Sequence, residues 1–301
     1  DGSVNKVISS LKKSNICIEE EGAFYLDLGD KNIAGRNQKF FFTRNNGLSL
    51  YTTRDIAYHL NKFERFPKAL NILGEDHKLQ SNLLNIALDE LNSSKPENLF
   101  YSFVNLPGGK MSTRAGRVVY LDDMMEKIVQ TSFERLKEVD IPSKQKTILA
   151  EKIGIGSLRY NILKVQPEKG FTFNIDDALS IQGDSAPFAM YSHARMCSII
   201  KKYGKNIPEM EMEVDLVESE IELIRLMAKW PKIVEVSSTK LSIHNIPTFI
   251  HQLSSQFNNF YRDCKVIGDD NEFLRINLVY SAKRILFDAL GILGIEAPER
   301  M

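Results

Sequence analysis

The sequence predicts a chain that is α/β in its first part and all-α in its second. Three observations carry that prediction. Between residues 24 and 121, short apolar runs bounded by Gly, Pro, Asn and Asp alternate with segments at helical period. Beyond Asp122 the strand-like runs stop, and apolar residues recur every three or four positions. Pro142, Pro167, Gly170 and Gly183 interrupt the helical segments between about Asp122 and Ala186, which marks a boundary zone.

In chain order, residues 4–13 read as a short amphipathic helix, and residues 24–26 and 39–43 as strands between Gly, Asp and Asn turns. Residues 52–66 place Ile56, Leu60 and Phe63 on one helical face. The run 69–73 is a strand ending at Gly74, and a second helix reaches about Leu91. Helix, strand and helix in that order make half of an α/β sheet. Residues 101–106 form another predicted strand, closed by Pro107, and residues 118–121 resume extended structure before a helix starts at Asp122. Pro187 and Gly204 bracket a helix whose last turn carries Lys201 and Lys202, where cations complement the helix dipole. Ile246, Phe249, Ile250, Leu253, Phe257, Phe260, Tyr261 and Cys264 make a further stripe, and residues 278–293 another. The second part is therefore read as a helical bundle.

The composition, with 301 residues, 43% hydrophobic and 26% charged, suits about two globular domains. Thirty-nine basic residues balance thirty-nine acidic ones, so a nucleic-acid partner would need a local basic patch. Cys17, Cys197 and Cys264 form no CxxC and the five histidines no HExxH, so neither a disulfide framework nor a metal centre is predicted. A reducing cytoplasm is the expected setting. No apolar run approaches the roughly 18 residues of a membrane span. The start Asp1-Gly2-Ser3 reads as that of a fragment or processed product.

Four groups of residues are candidates for chemistry, and each has a purely structural alternative. In Gly108-Gly109-Lys110-Met111-Ser112-Thr113-Arg114-Ala115-Gly116, glycines let backbone N–H groups approach a phosphate while Lys110 and Arg114 supply charge. A solvated hairpin turn explains the same spacing; a Walker A loop does not, because Val104 and Met111 stand where Gly and Ser or Thr are required. Gly74-Glu75-Asp76-His77 follows a strand at the carboxyl edge of a sheet, where ligands bind, or else caps the next helix. Tyr51 and Asp55, four apart at a helix start, would offer a phenol and a carboxylate to a cation, unless Thr52-x-x-Asp55 is only a capping box. Tyr191, His193, Arg195 and Tyr261 interleave aromatics with cations, as a surface for unpaired bases does, or are tyrosines half in a core with cations on the wet face.

The motifs in order resemble the arginyl-tRNA synthetase family. They are Tyr51-Thr52-Thr53-Arg54-Asp55-Ile56-Ala57-Tyr58, Leu73-Gly74-Glu75-Asp76-His77, Gly109-Lys110-Met111-Ser112-Thr113-Arg114 and Val118-Val119-Tyr120-Leu121-Asp122-Asp123. Towards the end, Tyr191-Ser192-His193-Ala194-Arg195 and Gly294-Ile295-Glu296-Ala297-Pro298-Glu299-Arg300-Met301 are similar to that family's anticodon-binding domain and chain terminus.

The resemblance implies the C-terminal half of a Rossmann-type class I catalytic domain over residues 1–122, a connecting helical region contacting the tRNA stem over 123–186, and an anticodon-binding bundle of the DALR type over 187–301. It implies ATP-dependent activation of arginine, with Mg²⁺ accompanying ATP, and transfer to the 3′ end of tRNA(Arg) in a cytoplasmic enzyme that is a monomer when complete. Lys110, with Met111, Ser112 and Arg114, would be the catalytic loop. Gly74, Glu75, Asp76, His77, Gly109 and Lys110 would line the ATP site, and Tyr51, Asp55 and His77 the arginine pocket. Tyr191, His193, Arg195, Tyr261 and Met301 would meet tRNA. Two departures qualify this: Thr113 replaces the second lysine of the family's KMSKS loop, and no H-x-G-H motif is present. The chain is thus expected not to activate arginine alone, and the competing expectation is a non-catalytic tRNA-binding module derived from a synthetase.

Overall fold

A computed structural model describes residues 2–29, 38–105, 107, 120–207 and 215–301. The chain forms two compact units, Asp1–Phe103 and Val104–Met301.

The first unit opens with α1 (Ser3–Leu11), which buries Val7 and Leu11. Strands β1 (Cys17–Glu20), β2 (Ala23–Asp27) and β3 (Lys39–Phe41) make an antiparallel sheet in that order. Gly22, at φ 80°, supplies the left-handed turn between β1 and β2. Helix α2 (Tyr51–Arg65) buries Ile56 and Ala57 in a small core with Leu26, Phe42, Leu84 and Leu88. Strand β4 (Leu70–Gly74), a 3₁₀ turn over Glu75–His77 and α3 (Lys78–Glu90) follow, and β5 (Glu97–Tyr101) pairs parallel to β4. The predicted strand 101–106 is corrected: β5 starts four residues earlier, at Glu97, and Val104 begins a different element. The early start was hidden because polar Asn98 lies inside the strand, opposite Asn71.

In the second unit β6 (Val104–Asn105) pairs with the two-residue β7 (Phe171–Thr172), a strand the helical reading of that region did not anticipate. Helices α4 (Leu121–Arg135) and α5 (Ser143–Leu163) pack closely, and a Cβ built at Gly154 would stand 2.9 Å from Val129 Cα. After the short α6 (Ile175–Ala178) come α7 (Ala186–Tyr203), α8 (Glu218–Met227), α9 (Trp230–Thr239), α10 (Asn245–Asp263) and α11 (Glu272–Ile292). Ser185 caps α7 through its hydroxyl, with Pro187 in the first turn, and Gly204 ends it at φ 65°. One large core joins these helices through residues such as Tyr160, Met190, Phe249, Phe257, Val279 and Leu286. Among the described residues no helix is long and apolar enough to cross a membrane.

Candidate active site and candidate nucleic-acid interface

The amino end of α2 is fastened to β3 by hydroxyls. Thr52 Oγ1 donates to the Phe41 carbonyl at 3.3 Å, and Thr53 Oγ1 donates to the Phe42 carbonyl. Neither threonine caps the helix: the cap position is Leu50, and it makes no side-chain bond. The capping-box alternative for Asp55 therefore has no counterpart here. With Ile56 and Ala57 turned into the core, Tyr51 is left 78% exposed at the first turn, and Asp55 keeps 24% of its side chain accessible one turn later.

Asp55 is held from behind. His59, only 4% exposed, places Nδ1 2.9 Å from the Asp55 carbonyl and 3.2 Å from its Oδ1. Asn71 Nδ2 lies 3.0 Å from His59 Nε2 and donates to Asn98 Oδ1 at 3.2 Å, while Lys62 Nζ donates to Asn71 Oδ1 at 3.0 Å. Burial pushes the His59 imidazole down. Its bond to Asp55 and that carboxylate's charge outweigh burial, leaving His59 above its ordinary value despite the opposing charge of Lys62. His59, Lys62, Asn71 and Asn98 were missed from the sequence. The available signals were a histidine four residues after Asp55 and an Asn within each apolar strand.

At the end of β4, Gly74, Glu75, Asp76 and His77 come together in one turn. Ser102 Oγ donates to Glu75 Oε1 at 2.9 Å, so that carboxylate is braced across the ends of β4 and β5. Asp76 and His77 stand in solvent with carboxylate and imidazole 3.9 Å apart, and no side-chain bond caps the 3₁₀ turn or α3. A side chain at Gly74 would meet Asp76 Oδ1 at 2.5 Å, so the glycine leaves room for that carboxylate beside the strand end. Gly109, Lys110, Met111, Ser112 and Arg114 lie outside the described residues.

In the second unit Tyr191, Arg195 and Tyr261 form one exposed cluster. The Arg195 guanidinium sits 4.8 Å from the Tyr191 ring and 5.4 Å from the Tyr261 ring. It donates to Tyr191 Oη at 3.1 Å and to Asn258 Oδ1 at 3.0 Å, which fixes its plane; Asn258 is an anchor the sequence did not reveal. A cavity of about 330 Å³ beside Tyr261 is lined by Lys202, Lys265 and apolar residues including Ile199 and Val266.

His193 and Met301 are not brought into that cluster. His193 is 1% exposed and its Nδ1–H donates to the Pro298 carbonyl at 2.9 Å. Burial holds His193 below its ordinary value, more than the bond to Pro298 raises it. Met301, with Pro298, Glu299 and Arg300, lines a cavity of about 570 Å³ against the loop and helix residues Val139 to Lys152.

Residues 1–175 match the family model for tRNA synthetases class I (R), catalytic domain, and residues 189–301 match the DALR anticodon binding domain. The chain belongs to the class I arginyl-tRNA synthetase family. It is 40% identical over 306 residues to an arginine–tRNA ligase of Methanocella arvoryzae, covering 100% of this chain and 54% of that protein. An arginine–tRNA ligase of Halorubrum lacusprofundi is 36% identical over 332 residues, covering 100% of this chain and 55% of the relative. The chain thus spans about half the length of the curated relatives it matches. The fold agrees: the arginyl-tRNA synthetase structure from Thermus thermophilus superposes with a TM-score of 0.85 at 23% identity, over 100% of this chain and 58% of the other.

Proposed function

We propose that this chain is the C-terminal part of an arginine–tRNA ligase and works within a protein of its relatives' length. It supplies part of the arginine-activating pocket and the domain that grips tRNA(Arg). The tandem of family matches supports this above all, because a class I (R) catalytic match and an anticodon-binding match lie in order on one chain. The functional parts follow the sequence boundaries, 1–122, 123–186 and 187–301, in a cytoplasmic enzyme that is a monomer when complete.

In this reading Asp55 pairs with the guanidinium of arginine and Tyr51 lays its ring against the cation, with His77 completing the pocket. Gly74, Glu75, Asp76 and His77, with Gly109 and Lys110 of the glycine loop, line the ATP site. The arginine carboxylate attacks the α-phosphate, giving arginyl-adenylate and pyrophosphate. Lys110 meets the charge that builds up there, and Met111, Ser112 and Arg114 complete its loop. The described residues contain no group of three or more His, Cys, Asp or Glu suited to a metal. In this reading Mg²⁺ enters on the phosphates of ATP, the habit of a small, strongly hydrated cation. Tyr191 and Tyr261 stack on unpaired bases and Arg195 neutralises phosphate between them. His193 acts from beneath by holding the terminal segment that carries Met301.

Arginine-dependent ATP–pyrophosphate exchange tests the reading. The full-length protein is expected to show exchange and this chain alone none, while the chain still shifts tRNA with an affinity that falls steeply as salt rises. Exchange by the chain alone would overturn the division of the site, and a full-length protein without arginine-dependent exchange would overturn the activity. The completeness of the Tyr191–Arg195–Tyr261 cluster within one unit favours a second reading, a tRNA-binding module without catalysis. tRNA binding by a full-length protein that lacks exchange would select it.

A further inference from the structure

Building on the assignment of Asp55 to the arginine guanidinium, we propose that His59 is the positioning residue of that carboxylate, and that arginine and a proton on His59 compete for it. The geometry is specific. Nδ1 of His59 lies between the backbone oxygen of Asp55, at 2.9 Å, and its Oδ1, at 3.2 Å, so one N–H restrains both parts of the same residue. The imidazole cannot swing away, because Asn71 meets Nε2 at 3.0 Å and is itself held by Lys62 and Asn98. A carboxylate 24% exposed, on the helix face that carries Tyr51, is thereby fixed from its buried side while its remaining lone pairs face outward.

The neutral imidazole satisfies this arrangement: Nδ1 donates to Asp55, and Nε2 accepts from Asn71 Nδ2. A second proton changes two things. Asp55 then faces a full imidazolium, so an arriving guanidinium meets a carboxylate whose charge is already balanced, beside a like charge. Nε2–H also confronts the Asn71 amide nitrogen, and the nearest acceptor is Asn71 Oδ1, at a long 3.4 Å and shared with the ammonium of Lys62. The groups facing His59 are Asp55, Lys62 and the Tyr58 ring at 5.6 Å from α2, with Asn71 from β4 and, through it, Asn98 from β5. Of the charged ones, Asp55 favours the proton and Lys62 opposes it. Asp55 is thus a shared partner, and binding of the two cations is reciprocally linked.

The test uses the full-length protein and L-arginine, with affinity measured by calorimetry between pH 6 and 8.5 for the native protein and for H59Q, H59N and D55N. Native affinity is expected to fall about tenfold towards the acid end, within the usual span of coupling between sites. H59Q, whose amide reaches the Nε2 position, should bind more weakly at pH 8 with a flat profile. H59N, whose amide stands near Nδ1, should recover the pH 8 affinity and stay flat. NMR titration of His59 in the native protein needs no variant, and its midpoint should move down when arginine saturates the site. An unmoved midpoint, or the native pH profile persisting in H59Q, overturns the proposal. D55N that binds arginine as tightly as the native protein overturns the assignment of Asp55 itself. Loss of binding in D55N with an unmoved His59 midpoint overturns the competition and leaves that assignment standing.

Discussion

The second unit packs round one large core: α7, α10 and α11 are lined with buried residues on their inner faces, and its buried Glu220 is paired with Arg275. The first unit does not. Its antiparallel sheet covers a small core, but the parallel pair β4–β5 leaves Leu70 44%, Ile72 62% and Tyr101 52% exposed while polar Asn71 faces inward. Parallel strands are ordinarily covered on both faces, and an uncovered aliphatic strand face marks a surface that packs against something else. The contrast is between a unit organised round one large core and a unit whose paired parallel strands leave aliphatic and aromatic side chains in water.

The largest effect that would sharpen this contrast lies in the bundle. Glu220 is fully buried, accepts from Arg275 Nε at 2.7 Å and takes the Val217 N–H at 2.9 Å; Arg275 also donates to the Lys265 carbonyl at 3.0 Å. Glu220→Ala removes the buried counter-charge of Arg275 and leaves it only the more exposed Asp269 at 3.0 Å, and we expect a loss of about 3 kcal/mol in chemical denaturation. Hydrogen exchange should show the loss throughout the second unit while amides of β1–β3 keep their protection. Equal loss in both would break the separation.

The next effect separates the two chemical roles. In the full-length protein Lys110→Ala should slow arginine activation about 10²- to 10³-fold, as removal of a donor to transition-state charge does, with tRNA affinity little changed. Tyr191→Ala should do the reverse, costing about 1–3 kcal/mol of tRNA binding if the ring stacks on a base, with pyrophosphate exchange retained. A Lys110 variant that lost tRNA affinity as strongly as exchange would end the division of labour.

A smaller effect concerns the exposed strand face. Ile72→Lys should change the stability of the chain by no more than about 0.5 kcal/mol, since the residue is already in water. It should reduce self-association of the isolated chain in light scattering. In the full-length protein the same change should lower stability if that face is covered there; an equal tolerance in both forms would show that nothing packs on it.

The bundle was legible because its helices are amphipathic and end on recognisable residues: Pro187 and Gly204 mark α7, and the stripe from Ile246 to Cys264 is α10 almost to the residue. Of the two parallel strands, the run 69–73 was legible as β4 despite Asn71, whereas β5 was missed because Asn98, which serves the same hydrogen-bond network, breaks its apolar run. The same holds within the site. Tyr51 and Asp55 are visible from spacing at a helix start, but their support comes from residues 4 to 43 positions further on, and no local pattern announces such a pairing. His193 shows the converse, since an aromatic-cationic motif suggested a surface and the 3.6-residue period turned that one member inward, onto Pro298.

The smallest effect separates the units by sign. Free in an unfolded chain, each histidine takes its proton near pH 6.5. His59 in the first unit is held above that value, so its contribution is fully present below about pH 6.5 and is lost as pH rises through the folded value. His193 in the second unit is held below it, so its contribution is complete above about pH 6.5 and is lost as pH falls through the folded value. Acidification from pH 8 towards pH 5.5 should therefore strengthen the His59–Asp55 contact within α2 while weakening the hold of α7 on the terminal segment. Hydrogen exchange resolved by segment reads both at once: protection around His59 should rise as protection around His193 and Leu293 to Glu299 falls. His59→Asn should abolish only the first trend, and His193→Gln only the second. Parallel trends in the two segments would mean that a global change of charge, and not these two imidazoles, governs the response.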